Sequence, residues 1–260
     1  MEHFSYLTLL WLFLTALVAG IVDAMAGGGG LLTLPALLAV GLDPISALAT
    51  NKFQGIFSPL SATLHFWRKD KLKLRDHALP ALGAFVGSIL GATCISLADP
   101  HFLKLLVPFL LVAIAIWVLF SPQLGQVERK ARISFALCSL TFTPIIGFYD
   151  GFFGPGTGTF LAFGLVSLLG LTLHEATLRT KIYNLASNAG ALLFFLFSGH
   201  VVWILGITMV IGMTVGGNIG ARLILRHGTN LIKPVLVVIS LAMSAKLLWQ
   251  QNIIQNLLNL

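Results

Sequence analysis

Five ionisable residues sit inside stretches too apolar to solvate them: Asp23, Lys52, Asp150, Arg179 and Lys181. On insertion scales each costs about 2.5–3.5 kcal/mol at the centre of a membrane helix, so each needs a partner or a wet cavity. Thr50, Asn51 and Gln54 surround Lys52, while Arg179, Thr180 and Asn184 surround Lys181. Asp23 precedes Ala24-Met25-Ala26-Gly27-Gly28-Gly29-Gly30, and Asp150 precedes Gly151-Phe152-Phe153-Gly154-Pro155-Gly156-Thr157-Gly158. A buried cation beside hydroxyl and amide donors is what a desolvated oxyanion requires. A glycine break opening into a helix offers free N–H groups and a positive dipole end, which also suit an anion. The candidate anion contacts are therefore Gly28, Gly29, Thr50, Asn51, Lys52, Gln54, Gly156, Thr157, Arg179, Thr180, Lys181 and Asn184. Asp23 and Asp150 are the carboxylates placed for proton relay. Two other readings stay open: the glycines could serve only close helix crossings, and each half could hold a structural pair, Asp23 with Lys52 and Asp150 with Lys181. A pair that opens for substrate would satisfy both kinds of reading.

Composition sets the elements that must hold these residues. The chain has 260 residues, 57% hydrophobic and only 10% charged, with a mean hydropathy of +0.93. A soluble domain carries roughly 25% charged residues, so lipid is the solvent for most of this surface. At about 20 apolar residues per spanning helix, roughly ten spans fit if the loops are short. The formal charge of +7 does not indicate nucleic acid, because the basic residues fall in loops between apolar runs. One loop is 68–75, another is 129–132, and a third holds Arg222, Arg226 and Lys233. That is the pattern of cytoplasmic loops. Cys94 and Cys138 lie in apolar segments without ligand spacing, so no disulfide framework, metal site or cofactor is expected. Ala24-Met25-Ala26 mimics a leader cleavage site, but no Lys or Arg precedes the apolar run and Asp23 adjoins the would-be cut. The first segment is read as a mature helix.

The chain is duplicated. With residue n set beside n + 129, Gly41-Leu42 meets Gly170-Leu171, Ala47 meets Ala176, Lys52 meets Lys181 and Ser58 meets Ser187. Gly87, Gly91 and Ala92 then meet Gly216, Gly220 and Ala221. Upstream the offset is 127, where Gly20-Ile21-Val22-Asp23 pairs with Gly147-Phe148-Tyr149-Asp150, and Gly27 and Gly29 pair with Gly154 and Gly156. Residues 1–126 and 127–260 are thus two repeats of one membrane domain. Each reads as five apolar segments: roughly 5–26, 31–41, 45–67, 77–98 and 102–121, then 133–150, 157–171, 175–198, 201–222 and 231–249. If all ten cross the membrane, the three basic loops share one side. If the short second segments do not cross, the loop at Arg222 leaves the side of the loop at 68–75. The positive-inside rule favours ten crossings, and an odd number per half makes the repeats inverted. The expected fold is all-α: a polytopic transmembrane helical bundle of two inverted five-segment repeats with Gly-interrupted segments. Eight spans in two parallel sets of four is the alternative.

Other residues have plainer readings. Lys104 and Lys246 lie near segment ends and can snorkel. Asp43, His174 and Glu175 sit at helix starts, and His65 is interfacial. Pro59 should kink or break the third segment. Ser58, Ser61, Ser187, Asn188 and Gly190 are weaker cavity candidates. Gly83, Gly87 and Gly91, like Gly212, Gly216 and Gly220, form small-residue stripes for close helix packing.

The run from Gly20 to Gly30, followed by Leu34-Pro35 and Ala49-Thr50-Asn51-Lys52, resembles the TauE/SafE sulfite-exporter family of bacterial permeases. So does Gly147 to Gly158 with its downstream Arg179-Thr180-Lys181. The resemblance covers nearly the whole chain. It implies secondary transport of sulfite, sulfonates or related sulfur-containing anions across the cell inner membrane, with the particular anion, direction and coupling ion open. The residues themselves point to an anion carrier working by alternating access, with basic loops cytoplasmic. An anion channel would need a continuous polar stripe, and an intramembrane enzyme a nucleophile–base or metal-ligand motif; neither pattern is present in the sequence. The expected partners are a small anion and the lipid bilayer, without nucleic acid; a homodimer is left open.

Overall fold

The computed structural model describes residues 4–69, 74–120 and 129–227, and every regular element within them is helical. The expected tenth segment, 231–249, lies outside the described residues, as do Lys233, Lys246 and loop residues 70–73. The first half gives α1 (Tyr6–Ala26), α2 (Gly30–Ala39), α3 (Pro44–Gly55), α4 (Phe57–Arg68), α5 (Ala78–Ser96) and α6 (Pro100–Phe120). The second gives α7 (Phe135–Leu137), α8 (Thr143–Phe152), α9 (Thr157–Leu169), α10 (Leu173–Ser198) and α11 (Trp203–His227). A π-helical turn, Cys138–Phe142, joins α7 to α8, and a 3₁₀ turn, Leu74–His77, leads into α5.

Among the described residues, four stretches are long and apolar enough to cross a membrane: Tyr6–Met25, Leu74–Ser96, Phe135–Phe152 and Trp203–Leu223. The chain is a multi-pass helical membrane protein. At about 1.5 Å per residue, α2 with 10 residues and α9 with 13 fall short of a bilayer core about 30 Å thick.

The third segments of the two repeats differ for a local reason. Pro59 has no N–H and its ring crowds the carbonyl four residues back, at Gly55, where α3 ends. Asn188 stands at the matching position, and α10 runs unbroken from Leu173 to Ser198. Helix starts carry side-chain caps: Asp43 accepts from the N–H groups of Ile45 and Ser46, both at 3.0 Å, and Thr172 accepts from that of Glu175 at 3.2 Å.

The long helices pack across the halves. α1 lies along α11, and α5 lies along α8. The glycine stripes make this approach close enough for backbone to touch backbone. A Cβ at Gly212 would lie 2.5 Å from the Phe13 carbonyl oxygen, and one at Gly220 would lie 2.5 Å from that of Ile21. On the other seam, Cβ atoms at Gly87 and Gly91 would collide with the carbonyl oxygens of Pro144 and Phe148. In each seam the fourth segment of one repeat lies against the first segment of the other.

Gly91→Leu should therefore cost about 3 kcal/mol or more, the upper end for overpacking. Leu90→Ala on the adjacent exposed position (56% accessible) should change stability little. Thermal melting of the two variants in detergent measures the contrast; equal melting would mean the α5–α8 seam is looser than described.

Candidate functional site

Both glycine-rich breaks form at the centre of the fold. α1 ends where Gly27 adopts φ +77°, its N–H bonded to the Asp23 carbonyl at 2.8 Å. α2 then starts at Gly30, so the four glycines make a tight joint rather than a longer extended run. The joint is tight because the two breaks cross each other: Cβ atoms at Gly27 and Gly158 would each collide with the other's backbone. In the second half α8 ends at Phe152, Gly154 and Gly156 take φ of +100° and +84°, and α9 begins at Thr157.

Each half-helix start is answered by the carboxylate of its own repeat. The Gly29 N–H donates to Asp23 Oδ1 at 3.2 Å, and the Thr157 hydroxyl donates to Asp150 Oδ1 at 2.8 Å. A carboxylate is a resident anion at the positive end of a helix.

The lysines reach across the halves. Lys52 Nζ pairs with Asp150 Oδ1 at 2.7 Å, with both side chains almost completely buried. Lys181 Nζ donates to the backbone carbonyl of Asp23 at 2.5 Å. Pairing within each half, Asp23 with Lys52 and Asp150 with Lys181, is thus replaced by a crossed arrangement. Its steric basis is Gly154, where a Cβ would sit 2.5 Å from Lys52 Nζ and 3.1 Å from Asp150 Oδ1. The two pairings are also unequal: Lys52 meets a carboxylate, Lys181 only a carbonyl.

A cavity with about 20 Å³ of room for water centres lies between the breaks, enough for about one water molecule. Of the candidates read from sequence, Asp23, Asn51, Lys52, Gln54, Asp150, Gly156, Thr157 and Asn184 line it. Asn51 Oδ1 gathers donors from the Thr33 hydroxyl at 2.6 Å and Gln54 Nε2 at 2.8 Å. Asn188 Nδ2 donates to the Asn184 carbonyl and Oδ1, both at 2.8 Å.

The remaining candidates lie off the cavity. Gly29 faces it only through the Asp23 carboxylate, and Gly28 belongs to the same joint. The Thr50 hydroxyl accepts from the Val202 N–H at 3.0 Å, and that of Thr180 donates to the Thr177 carbonyl. Arg179 lies on the α10 face of Tyr183, whose hydroxyl meets His77 Nδ1 at 2.9 Å. Lys181 stands behind Asp23. Ser58 donates to the Gly20 carbonyl and Ser187 to that of Asn184, so both serve helix contacts. The weaker candidate Asn188 lines the cavity as well, and the wall also includes Gly27, Gly30, Gly55, Gly154, Gly158 and Met213. Gly27, Gly30, Gly154 and Gly158 were legible as parts of the breaks; nothing in the sequence pointed to Gly55 or Met213. Among the described residues no cluster of His, Cys, Asp and Glu is arranged to hold a metal ion.

Paired charges buried between broken helices, inside a coat of apolar helices, define a membrane protein with a small polar cavity among the described residues. Residues 12–247 match the family described as Sulfite exporter TauE/SafE, and the chain belongs to that family of membrane transporters. It is 43% identical over 241 residues to a probable membrane transporter protein of Haemophilus influenzae, covering 93% of this chain and 94% of the relative. It is 42% identical over 241 residues to the probable membrane transporter protein YfcA of Escherichia coli K12, covering 93% and 90%. The similarity extends to the probable membrane transporter protein YdhB of Bacillus subtilis, at 25% identity over 236 residues, 89% of this chain and 93% of that one.

Removing one partner of a buried ion pair costs about 3–5 kcal/mol, because the other charge is left alone. Lys52→Met should show that loss, and adding Asp150→Leu should restore much of it. Adding Asp23→Leu to Lys52→Met should not. Melting temperatures of these variants decide the pairing, and equal rescue by both second changes would contradict it.

Proposed function

We propose that this protein is a secondary transporter of a small sulfur-containing anion such as sulfite or a sulfonate, working by alternating access at the central site. The sulfur chemistry is suggested by the family's description as sulfite exporter. The anion chemistry rests on the residues. The observation that carries the reading is that the buried Lys52 and two half-helix starts converge on one cavity, with a second buried lysine, Lys181, behind Asp23, and with Asp23 and Asp150 holding the places an anion would take. A substrate oxyanion competes with these carboxylates for Lys52, the Gly29 N–H and the Thr157 hydroxyl. Asn51, Gln54 and Asn184 supply further donors from the cavity wall. Lys181 acts on substrate once its bond to the Asp23 carbonyl opens.

Two features support a carrier rather than a channel. The cavity as it stands has room for about one water molecule, less than any sulfur oxyanion needs, so the halves must move apart for the anion to enter. The parts that would move are the two repeats. We read them as inverted five-segment repeats, related by a pseudo-two-fold axis in the membrane plane. The reciprocal seams, α1 with α11 and α5 with α8, are the arrangement such an axis would produce. The bonds from the Arg129 and Arg132 N–H groups to the carbonyls of Gly170 and Leu168, both 2.8 Å, bring the start of the sixth segment beside the end of the seventh. That favours a seventh segment returning to the face where the sixth began. Under this topology the basic loops face the cytoplasm of a bacterium and the bilayer is its inner membrane.

Flux of sulfite, sulfate, thiosulfate and methanesulfonate in proteoliposomes tests the reading. Uptake of at least one should saturate with concentration, and Lys181→Ala should abolish it while the protein remains folded. Non-saturating flux would indicate a channel, and no flux of any of the four would exclude this substrate class.

A further inference from the structure

The cavity has an unmet demand that an oxyanion alone does not supply. Three buried side-chain oxygens on its wall have no hydrogen-bond partner: Asp23 Oδ2, Asp150 Oδ2 and Gln54 Oε1. All three are acceptors, and a sulfur oxyanion brings acceptors too. What the empty positions call for is a donor or a positive charge.

Charge balance points the same way. The four ionisable groups at the site are Asp23, Asp150, Lys52 and Lys181, and their formal charges cancel. An anion entering alone would leave one uncompensated negative charge in a site shielded from water, which is costly. An anion entering with one proton leaves the balance unchanged.

The two carboxylates are not equivalent as places for that proton. Asp150 Oδ1 is held by the Lys52 ammonium at 2.7 Å and the Thr157 hydroxyl at 2.8 Å. Protonating Asp150 would leave Lys52 a buried cation without its counter-ion. The Asp23 carboxylate accepts one long bond, from the Gly29 N–H at 3.2 Å, and Lys181 reaches its carbonyl rather than its carboxylate. Of the described elements packed on α1, α10 brings the one opposing charge close to this carboxylate, the Lys181 ammonium, and that is bonded to the backbone carbonyl. α2 and α9 carry no ionisable residue. α4 brings only His65 and Arg68, in its last turn. α10 brings Lys181, with His174, Glu175 and Arg179 nearer its start. The one charged side chain described on α11, Arg222, is exposed. Lys52 and Asp150 face Asp23 across the cavity.

We propose that Asp23 takes up a coupling proton on Oδ2 and that this proton and the anion occupy the site together. The proton comes from water on the side where the cavity is open. The neutral carboxyl then competes weakly for the Gly29 N–H and no longer offsets the Lys181 charge, and the anion takes both places. On the far side the anion leaves, Asp23 returns its proton to water, and the carboxylate resumes its place at the start of α2. The proposal rests on the carrier reading above and assigns the coupling ion within it.

The test uses methanesulfonate, whose charge is constant between mildly acidic and mildly alkaline pH, in proteoliposomes with an alkaline interior. At one proton per anion, one pH unit of gradient should sustain about tenfold accumulation. Asp23→Glu should keep this response with a shifted pH midpoint, and Asp23→Asn should abolish accumulation. Accumulation by Asp23→Asn equal to the unsubstituted protein would overturn the proposal, as would accumulation that follows a sodium gradient and ignores pH. A second measurement does not depend on transport. On acidification, the infrared spectrum of the purified protein should gain one protonated-carboxyl component that the spectrum of Asp23→Asn, acidified in the same way, lacks. If no vesicle moves methanesulfonate but the spectra differ in this way, the choice of substrate fails and the proton site stands. Identical spectral changes in Asp23→Asn and the unsubstituted protein overturn the site.

Discussion

A lysine ammonium buried in a lipid-embedded protein must have a counter-charge or ligand within reach, and much of this structure follows from meeting that demand twice. Lys52 is answered by Asp150 and Lys181 by the carbonyl of Asp23, so each half supplies the other's partner. For the pairs to form, the first-segment ends must approach the third segments of the opposite repeat. The glycine breaks permit that approach: Gly27 and Gly158 let the two backbones touch, and Gly154 leaves room for the Lys52 ammonium. The seams of α1 with α11 and α5 with α8 hold the same cross-repeat relation along the length of the long helices.

Crossing has a mechanical consequence. A pair confined to one repeat would travel with it as a rigid body. A pair that spans the repeats must break when they separate, so any motion that opens the cavity is coupled to the state of its charges. The half-helix starts obey the same logic, because Asp23 and Asp150 occupy positions that a ligand's negative charge would also favour. The two lysine contacts are unequal, with Lys52 closed on a carboxylate and Lys181 closed only on a carbonyl.

Most of the helices were legible in the sequence because their determinants are local. Apolar length set α1, α5, α6, the α7–α8 segment, α9 and α11, and the Asp43 cap and the proline at position 59 set the limits of α3. The central residues were legible as well, because buried charge and glycine clusters are conspicuous in a chain with so little charge. The partner of each lysine was not, since Lys52 and Asp150 lie 98 positions apart and composition favours neither pairing. The face of α10 was also hidden: Asn184 and Asn188 turn toward the cavity, whereas Arg179 shares a face with Tyr183, toward His77. Helical spacing separates these groups, yet only the packing of α5 on α10 decides which set faces inward. The tightness of the first glycine joint was hidden for a related reason: it comes from Gly158, which belongs to the other repeat.

The claim that matters most is that the cavity opens to one face of the membrane at a time. Gln54 sits on its wall and is fully buried, so Gln54→Cys, with Cys94 and Cys138 replaced by serine, places a single reporter there. A membrane-impermeant thiol reagent is applied to either face of oriented vesicles, with and without a transported anion. The account predicts labelling from each face, with a saturating anion and opposing pH gradients shifting the balance between them. Labelling confined to one face under all these conditions would contradict it.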